Sequence, residues 1–369
     1  MSGMWCAMRT GNSVLHGVRS GASTELRIEG EIMKSALYMG QKSIEMADVP
    51  MPECGENDVL LKNIYASICG TDVAVYSHGP NTGHKVTVGG EFGHEMVSIV
   101  SQVGSNVKDI HVGDRVYPYP RLVKRDRSRA GTVGGFSEYV LAPDAKLNES
   151  VYAVPDKITD KVASLIEPFT VGCRAARRSN PNVGENAIVF GCGTIGIAAA
   201  MALKYFGCKQ VLISDISDFR LNIAKELGFE ICNSSKEDLK TKAMEVFGKA
   251  ASIHGETADA GIYIDAAGAE GLIETYQSMG KIESRLVVVA VLAGLRKINV
   301  LDMTYSQHAI IGSGGYMPED VEDVFAIMQD DRWDVERIIT DVYPWEQLPE
   351  AIERASDSTH AFNVVIQYK

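Results

Sequence analysis

The chain has 369 residues, and its 36 basic side chains are outnumbered by 48 acidic ones, for a net charge of −12. This balance argues against a broad nucleic-acid-binding surface, which needs clustered Lys and Arg. The apolar run Leu286 to Ala293 is far shorter than the roughly 20 residues of a membrane-spanning helix, so small molecules are the expected partners, with neither nucleic acid nor membrane.

The length predicts two domains, at about 150 residues each. The seven cysteines include no C-x-x-C pair, which argues against a disulfide framework and favours a reducing, cytoplasmic location. Residues 1–32 are rich in Gly and Ser and contain no acid before Glu25. A disordered leader is the favoured interpretation, with an organellar transit peptide as the alternative, and the fold is expected to begin at Met33.

Short runs of β-forming residues follow one another from Lys34 onward, and Gly, Pro and Asp turns separate them. The predicted strands are Ala36–Met39, Asp58–Ala66, Met96–Gly104, Gly113–Tyr117 and Gly135–Val140. Many short strands with such turns are typical of a small barrel. The basic segment Arg121 to Arg129 lies between two of them. A solvated loop is the favoured interpretation, and two others stay open: a site that attracts a phosphorylated or carboxylated substrate, or a surface that packs on a neighbouring subunit.

Four scattered side chains could form a catalytic zinc site. Cys69, His94, Glu95 and Glu167 provide a thiolate, an imidazole and two carboxylates, which are ordinary ligands of Zn²⁺. Structural zinc sites usually use closely spaced Cys and His pairs, whereas catalytic ligands are often gathered from distant parts of the chain. The wide spacing therefore favours a catalytic site.

A glycine motif marks the start of a second domain. The apolar run Asn186–Phe190 is typical of a buried parallel strand, and Gly191-Cys192-Gly193-Thr194-Ile195-Gly196 follows it directly. A G-x-G-x-x-G between strand and helix, with an acid near +20 such as Asp215, predicts a dinucleotide site. Asp215 favours NAD over NADP, although the nearby Arg220 could accept a 2′-phosphate.

The alternation of strands and helices continues to about residue 316, which predicts one Rossmann domain in an α/β fold. Its later strands are predicted at Ala260–Asp265, Arg285–Ala290 and Ala309–Gly315. The segments after residue 317 fall outside this pattern. They are expected to return and complete the first domain.

Taken in order, these features resemble the zinc-dependent medium-chain dehydrogenase/reductase family, and within it the polyol (sorbitol) and threonine dehydrogenases. The resemblance rests on a set of short motifs: Cys69-Gly70-Thr71-Asp72, Gly93-His94-Glu95, Val112–Val116, Glu167-Pro168, the glycine motif and Asp215. It implies a GroES-like β-barrel catalytic domain at 33–167 and 317–369. It also implies a Rossmann NAD-binding domain at 168–316.

The same resemblance implies roles for further residues. Thr71 would relay the substrate proton, Thr170 would lie near the nicotinamide, and Glu167 would be a direct or water-bridged fourth zinc ligand. The substrate pocket would be lined by four aromatic residues, Tyr76, Phe92, Tyr119 and Tyr316.

Three positions depart from the family pattern. No cysteine occurs between Val116 and Phe136, so one catalytic zinc and no structural zinc are expected. Ala74 stands where some relatives have a histidine that ends the proton relay, which leaves His78 or solvent as the exit. Gly315 stands where polyol dehydrogenases tend to have an arginine that grips substrate hydroxyls.

The resulting hypothesis is a zinc-dependent enzyme that reversibly oxidises a secondary alcohol or polyol to the ketone, with hydride transfer to NAD. A homodimer or homotetramer is expected, with the strand near Leu286 to Ala290 as a plausible edge. Two alternatives remain: a metal-free quinone or enone reductase of the same fold, and an inactive nucleotide-binding protein. Metal analysis separates the first hypothesis from both.

Overall fold

The computed structural model describes residues 31–83, 85–123, 134–291 and 294–369. The chain divides into Met1–Glu31 and Ile32–Lys369, and the second unit is described below. The predicted leader, apart from its last two residues, lies outside the described residues, as do Lys124 to Arg129 of the basic segment.

The first half of the described chain consists mainly of short strands. They are β1 (Ile32–Gly40), β2 (Ser43–Pro50), β3 (Val59–Ser67), β4 (Gly90–Glu91), β5 (Glu95–Val103), β6 (Arg115–Pro118), β7 (Tyr139–Ala142) and β8 (Val151–Ala153). The helix α1 (Gly70–His78) connects β3 to β4. Pairing between these strands is antiparallel, as the turn-separated pattern predicts.

Helices and strands alternate in the second half. The helices are α2 (Asp160–Ala163), α3 (Ile166–Arg178), α4 (Thr194–Tyr205), α5 (Asp218–Glu226), α6 (Leu239–Phe247), α7 (Leu272–Met279), α8 (Val300–Ser306), α9 (Pro318–Met328) and α10 (Leu348–Ala355). The strands are β9 (Asn186–Phe190), β10 (Gln210–Asp215), β11 (Glu230–Asn233), β12 (Lys249–Ser252), β13 (Gly255–Ala258), β14 (Ile262–Asp265), β15 (Arg285–Val288), β16 (Ala309–Gly312), β17 (Ile339–Pro344) and β18 (Asn363–Gln367).

Six parallel strands form one sheet in the order β11-β10-β9-β14-β15-β16. The order reverses between β9 and β14, which is the switch point where Rossmann folds bind dinucleotides. Both faces of the sheet are buried: Ile188 belongs to a core with α6 and α7, whereas its neighbour Val189 belongs to a core with α3 and α4. The predicted α/β fold class with a Rossmann sheet is confirmed.

The prediction that the strand near Leu286 to Ala290 lies at a sheet edge is wrong. This strand, β15, pairs with β14 on one side and with β16 on the other. The edge on this side of the sheet is β16, whose only partner among the described strands is β15, and the other edge is β11. An apolar run indicates a buried strand, but its neighbours depend on crossover connections that the local pattern does not contain.

The C-terminal segment divides between two regions. β17 and β18 extend the sheet that contains β3 and β5, because β18 pairs antiparallel with β3 and parallel with β17. Helix α9 instead packs against α3 and α4, where Nε of Arg177 donates to Oδ1 of Asp320 at 2.7 Å. The domain boundary at residue 317 stays a prediction. No helix in the described part of the chain has the length and apolar character needed to cross a bilayer.

Candidate active site

Cys69 lies at the beginning of a helix and not in a free loop. Strand β3 ends at Ser67, and Cys69 is the N-cap of α1 with extended backbone angles. Oδ2 of Asp72 accepts the Cys69 N–H at 3.0 Å, which caps the helix and fixes where the cysteine projects. The positive end of the helix dipole favours the thiolate form at this position.

The neighbouring strand β5 supplies the next two side chains. Glu95 is its first residue and His94 precedes it. Gly93 has a φ of 85°, and a Cβ there would lie 2.7 Å from the Phe136 ring. Only glycine fits such a turn, and the turn brings the His94-Glu95 pair to face Cys69.

The structure brings three of the four predicted zinc ligands together. One ligand atom each from Cys69, His94 and Glu95 lies within 4.8 Å of the others. Glu95 is 2% exposed, and its Oε2 has no hydrogen-bond partner among the described residues. A buried carboxylate oxygen without a donor is costly unless a cation lies beside it. The donor set and this oxygen fit a zinc ion.

The electrostatic setting of these ligands favours a cation. Burial raises the pKa of the Cys69 thiol well above its usual value, and the Glu95 and Asp72 carboxylates raise it further. The hydroxyl of Thr71 opposes this shift by donating to the Cys69 sulfur. Nδ1 of His94 lies 3.9 Å from Oδ1 of Asp72, so this buried acid faces the imidazole.

Glu167 faces the same centre but stands outside the group of three within 4.8 Å. It lies in the first turn of α3. Burial raises its pKa to about 7, His94 opposes the shift, and Glu95 adds to it. The Tyr316 hydroxyl bonds to its carboxylate. Its role as a direct or water-bridged ligand stays a prediction.

Two of the predicted lining residues meet beside Glu167. The rings of Tyr119 and Tyr316 have centroids 4.9 Å apart, and the Tyr119 hydroxyl donates to the Tyr316 carbonyl at 2.7 Å. The Tyr316 hydroxyl also lies 2.6 Å from the Tyr117 hydroxyl. The sequence interpretation missed Tyr117, although its i, i+2 spacing from Tyr119 was a signal that both share one face of a strand.

The other two predicted lining residues make packing contacts. The Tyr76 hydroxyl donates to Glu353 at 3.2 Å, and Phe92 is 0% exposed. The Phe92 ring packs edge-on against Tyr38 and Phe136. These contacts favour structural roles for both side chains, and their contact with substrate stays a prediction.

The glycine motif forms the turn between β9 and α4. Gly191 has a φ of 99°, and a Cβ on Gly196 would lie 2.0 Å from the Gly191 carbonyl oxygen. Gly193 is the N-cap of α4, and together with Thr194 and Ile195 it is partly exposed. The free N–H groups at a helix N-terminus bind phosphate. In the preceding helix α3, the hydroxyl of Thr170 is already engaged, since it donates to the Glu167 carbonyl at 2.6 Å.

Asp215 ends β10 and helps to shape the glycine turn. Its Oδ2 accepts the Cys192 N–H at 2.6 Å, and its Oδ1 accepts the Ser217 N–H at 2.8 Å. Arg220 lies beside the same turn: its Nη2 donates to the Ala361 carbonyl at 3.2 Å, its guanidinium lies over the Phe362 ring, and its Nη1 would lie 3.9 Å from a Cβ on Gly193. The Asp215 carboxylate and the Arg220 guanidinium therefore both lie at this turn.

The C-terminal segment also reaches the glycine turn, which the sequence interpretation missed. Nδ2 of Asn363 donates to the Thr194 hydroxyl at 3.1 Å and to the Ser67 hydroxyl at 3.0 Å. Asn363 therefore links β3, which leads into Cys69, to the first turn of α4. No local pattern could reveal a contact across 169 residues.

Two family profiles match the chain. The profile of the alcohol dehydrogenase GroES-like domain matches residues 55–156, and that of the zinc-binding dehydrogenase matches residues 194–330. The L-threonine 3-dehydrogenase of Chromobacterium violaceum is 33% identical over 220 residues, or 55% of this chain and 63% of that protein. The Serratia proteamaculans protein of the same name is 34% identical over 223 residues, covering 56% and 64%. The matches thus span less than two thirds of these relatives.

Solved structures share the fold. The 2R,3R-butanediol dehydrogenase of Bacillus subtilis has a TM-score of 0.77 and 24% identity, covering 91% of this chain and 99% of that one. The galactitol-1-phosphate dehydrogenase of Escherichia coli also has a TM-score of 0.77, with 22% identity and coverage of 91% and 100%. With a GroES-like domain followed by a zinc-binding dehydrogenase domain, this chain belongs to the zinc-dependent medium-chain dehydrogenase/reductase family.

Proposed function

We propose that this protein is a zinc-dependent oxidoreductase that reversibly oxidises a secondary alcohol or polyol to the ketone, with transfer of hydride to NAD. The observation that carries the proposal is the convergence of Cys69, His94 and Glu95 within 4.8 Å, in a chain that also has a dinucleotide-binding turn. The names of the relatives support a CH–OH substrate, because threonine, butanediol and galactitol phosphate all carry a secondary hydroxyl.

Cys69, His94 and Glu95 would hold one zinc ion, with Glu167 as a direct or water-bridged fourth ligand. A bound zinc ion supplies Lewis acidity at the reacting oxygen, and a bound nicotinamide supplies the hydride acceptor. The Thr71 hydroxyl, next to the Cys69 sulfur, would take the substrate proton and pass it towards His78, which is exposed at the end of α1.

The dinucleotide would lie with its pyrophosphate at the N-terminus of α4. Asp215 would bond to the adenosine ribose and disfavour a 2′-phosphate, so NAD is the proposed cofactor and NADP is less favoured. Arg220 is the group that would accept a 2′-phosphate if NADP binds, since its Nη1 lies beside the Gly193 turn. Residues 33–167 and 317–369 would form the catalytic domain, and residues 168–316 the NAD-binding domain.

A homo-oligomer is also proposed, in the cytoplasm, as a dimer or tetramer. The unpaired side of β16 is an edge that a second copy could extend. Exposed apolar side chains lie near it in the sequence: Leu295 is 99% exposed, Val300 69%, Leu301 63% and Tyr305 67%. Such a concentration of exposed apolar side chains is typical of a protein–protein interface.

The variant Cys69→Ser tests whether metal binding and dinucleotide binding depend on different halves of the chain. Loss of the thiolate should abolish alcohol-dependent NADH formation, while NAD binding measured by calorimetry stays within about twofold, because the proposed dinucleotide contacts would lie on the other domain. Cys54→Ser is the matched control, since this thiol donates to the Asp58 carbonyl at 3.3 Å, away from the ligands. Equal loss of turnover and NAD binding in Cys69→Ser would contradict the proposal.

Metal analysis of purified protein distinguishes the alternatives. About one zinc per chain, together with alcohol-dependent NADH formation, is the outcome expected for one catalytic site. Turnover of enones or quinones without metal would favour the reductase. Nucleotide binding without metal or turnover would favour an inactive binding protein.

A further inference from the structure

Arg121 occupies the space that a side chain at position 315 would need. A Cβ on Gly315 would lie 3.0 Å from Nη1 of Arg121, 3.7 Å from Cζ and 3.8 Å from Cδ. The guanidinium thus rests against the backbone just before Tyr316. Because position 315 has no side chain, an arginine from the segment after β6 can reach this place.

Tyr119 holds the guanidinium there. Its hydroxyl donates to the Tyr316 carbonyl, so it can only accept in its hydrogen bond with Arg121. Tyr119 is 5% exposed, whereas Arg121 is exposed. One part of the guanidinium is therefore tied to a buried phenol, while the arginine as a whole stays exposed.

The positive charge of Arg121 is not neutralised by a described neighbour. Within the described ranges, no Asp or Glu oxygen lies in ion-pair range of its guanidinium. The nearby Asp320 is 0% exposed, and its Oδ1 accepts from Nε of Arg177 at 2.7 Å. An arginine whose guanidinium is anchored and has no acidic partner among the described residues is suited to bidentate binding of a carboxylate or phosphate.

Arg121 is connected to the metal ligands through one side chain. The ring of Tyr316 begins beside Gly315, where the guanidinium rests, and its hydroxyl bonds to the Glu167 carboxylate. The buried Tyr316 side chain, 4% exposed, therefore connects the place of the guanidinium to the Glu167 carboxylate. We propose that Arg121 binds an anionic group of the substrate, so that the enzyme selects secondary alcohols that carry a carboxylate or a phosphate.

This inference rests on the proposed function, and kinetics with three alcohols tests it. The probes are 2,3-butanediol, which is neutral, L-threonine, which carries a carboxylate, and galactitol 1-phosphate. Arg121→Gln should lower kcat/KM for the preferred anionic alcohol about 10- to 100-fold, mainly through KM, and for the neutral diol by no more than about twofold. The anion is identified by which substrate, L-threonine or galactitol 1-phosphate, shows the lower kcat/KM in Arg121→Gln.

Two further variants separate substrate binding from a structural role. Arg121→Lys keeps the positive charge and should recover part of the kcat/KM that Arg121→Gln loses, since it removes only the bidentate N–H donors of the planar guanidinium. Gly315→Val should reproduce the Arg121→Gln pattern, because its methyl groups would displace the guanidinium. Arg332→Gln is the control, since this arginine pairs with Asp330 at 2.6 Å, and it should leave all three alcohols unchanged.

A binding measurement gives a second readout that needs no turnover. Inorganic phosphate should raise the Tm of wild type more than that of Arg121→Gln. Equal effects of Arg121→Gln on neutral and anionic alcohols, a loss confined to NAD affinity, or equal phosphate shifts in both proteins would overturn the inference. If wild type oxidises none of the three alcohols, the proposed function fails, and the phosphate shift still decides whether Arg121 binds anions.

Discussion

At the scale of single residues, the candidate metal site is a concentration of acids around one imidazole. Burial raises the pKa of Asp72 to about 7, with His94 opposing the shift, and it raises the pKa of the Cys69 thiol well above its usual value. Each shift reflects the cost of a buried negative charge. A divalent cation would lower these pKa values, because it favours the charged form of every ligand.

This reasoning predicts opposite effects of Glu95→Gln in two states of the protein. Without metal, the variant removes a buried charge whose Oε2 lacks a donor, and it should be more stable than wild type by about 1–3 kcal/mol. With zinc, it loses a ligand and should be the less stable protein.

Thermal unfolding in a chelator and in zinc, with zinc content by mass spectrometry, measures this reversal. Glu91→Gln is a matched buried acid, 1% exposed and outside the ligand group, and it should retain zinc. The same sign of Tm change for Glu95→Gln in both conditions would count against a cation at this site.

At the scale of elements, the β9–α4 turn assigns different tasks to its glycines. Gly196 allows helix and strand to approach, since a Cβ there would meet the Gly191 carbonyl oxygen at 2.0 Å. Gly193 is free of that constraint, because its Cβ would meet only Nη1 of Arg220, at 3.9 Å. Packing therefore depends on Gly196, whereas Gly193 leaves room for a ligand.

The two alanine variants should separate stability from cofactor binding. Gly196→Ala should lower the free energy of unfolding by about 3 kcal/mol, because the clashing atom belongs to the backbone. Gly193→Ala, at φ −91°, should fold normally but bind NAD about tenfold more weakly. Chemical denaturation and calorimetry measure the two effects, and a Gly193→Ala protein with wild-type NAD affinity would contradict this assignment.

At the scale of the whole molecule, β16 has an unpaired side among the described strands, and the nearby helix α8 carries exposed apolar side chains. Leu301 and Tyr305 lie four residues apart on α8 and so share a face. The double variant Leu301→Lys/Tyr305→Lys should shift a homo-oligomer to monomers, because four desolvated charges would face one another in a two-fold contact.

Light scattering after size exclusion gives the mass of each species. Val112→Lys is the control, since this apolar residue is 66% exposed in the turn before β6 and should leave the mass unchanged. A monomeric wild type, or an unchanged mass for the double variant, would refute the interface.

The sequence could predict those features that depend on local pattern. Periodicity and turn residues located most of the strands of both halves, and the glycine motif located the turn between β9 and α4. The ligand types Cys69, His94 and Glu95 could be chosen because few other residues bind zinc. Sequence could not show that Cys69 begins a helix, nor that Phe92 packs into the core.

The sequence by itself determined the two-part α/β fold class, the chemistry of the ligand set and the position of the dinucleotide turn, because each depends on residue type and short spacing. Only the tertiary structure decided that β16 and not β15 is the edge, that Asn363 reaches Thr194, and that Arg121 rests on Gly315. These are contacts between segments far apart in the chain. Such contacts depend on how whole elements pack, and local sequence propensity does not predict them.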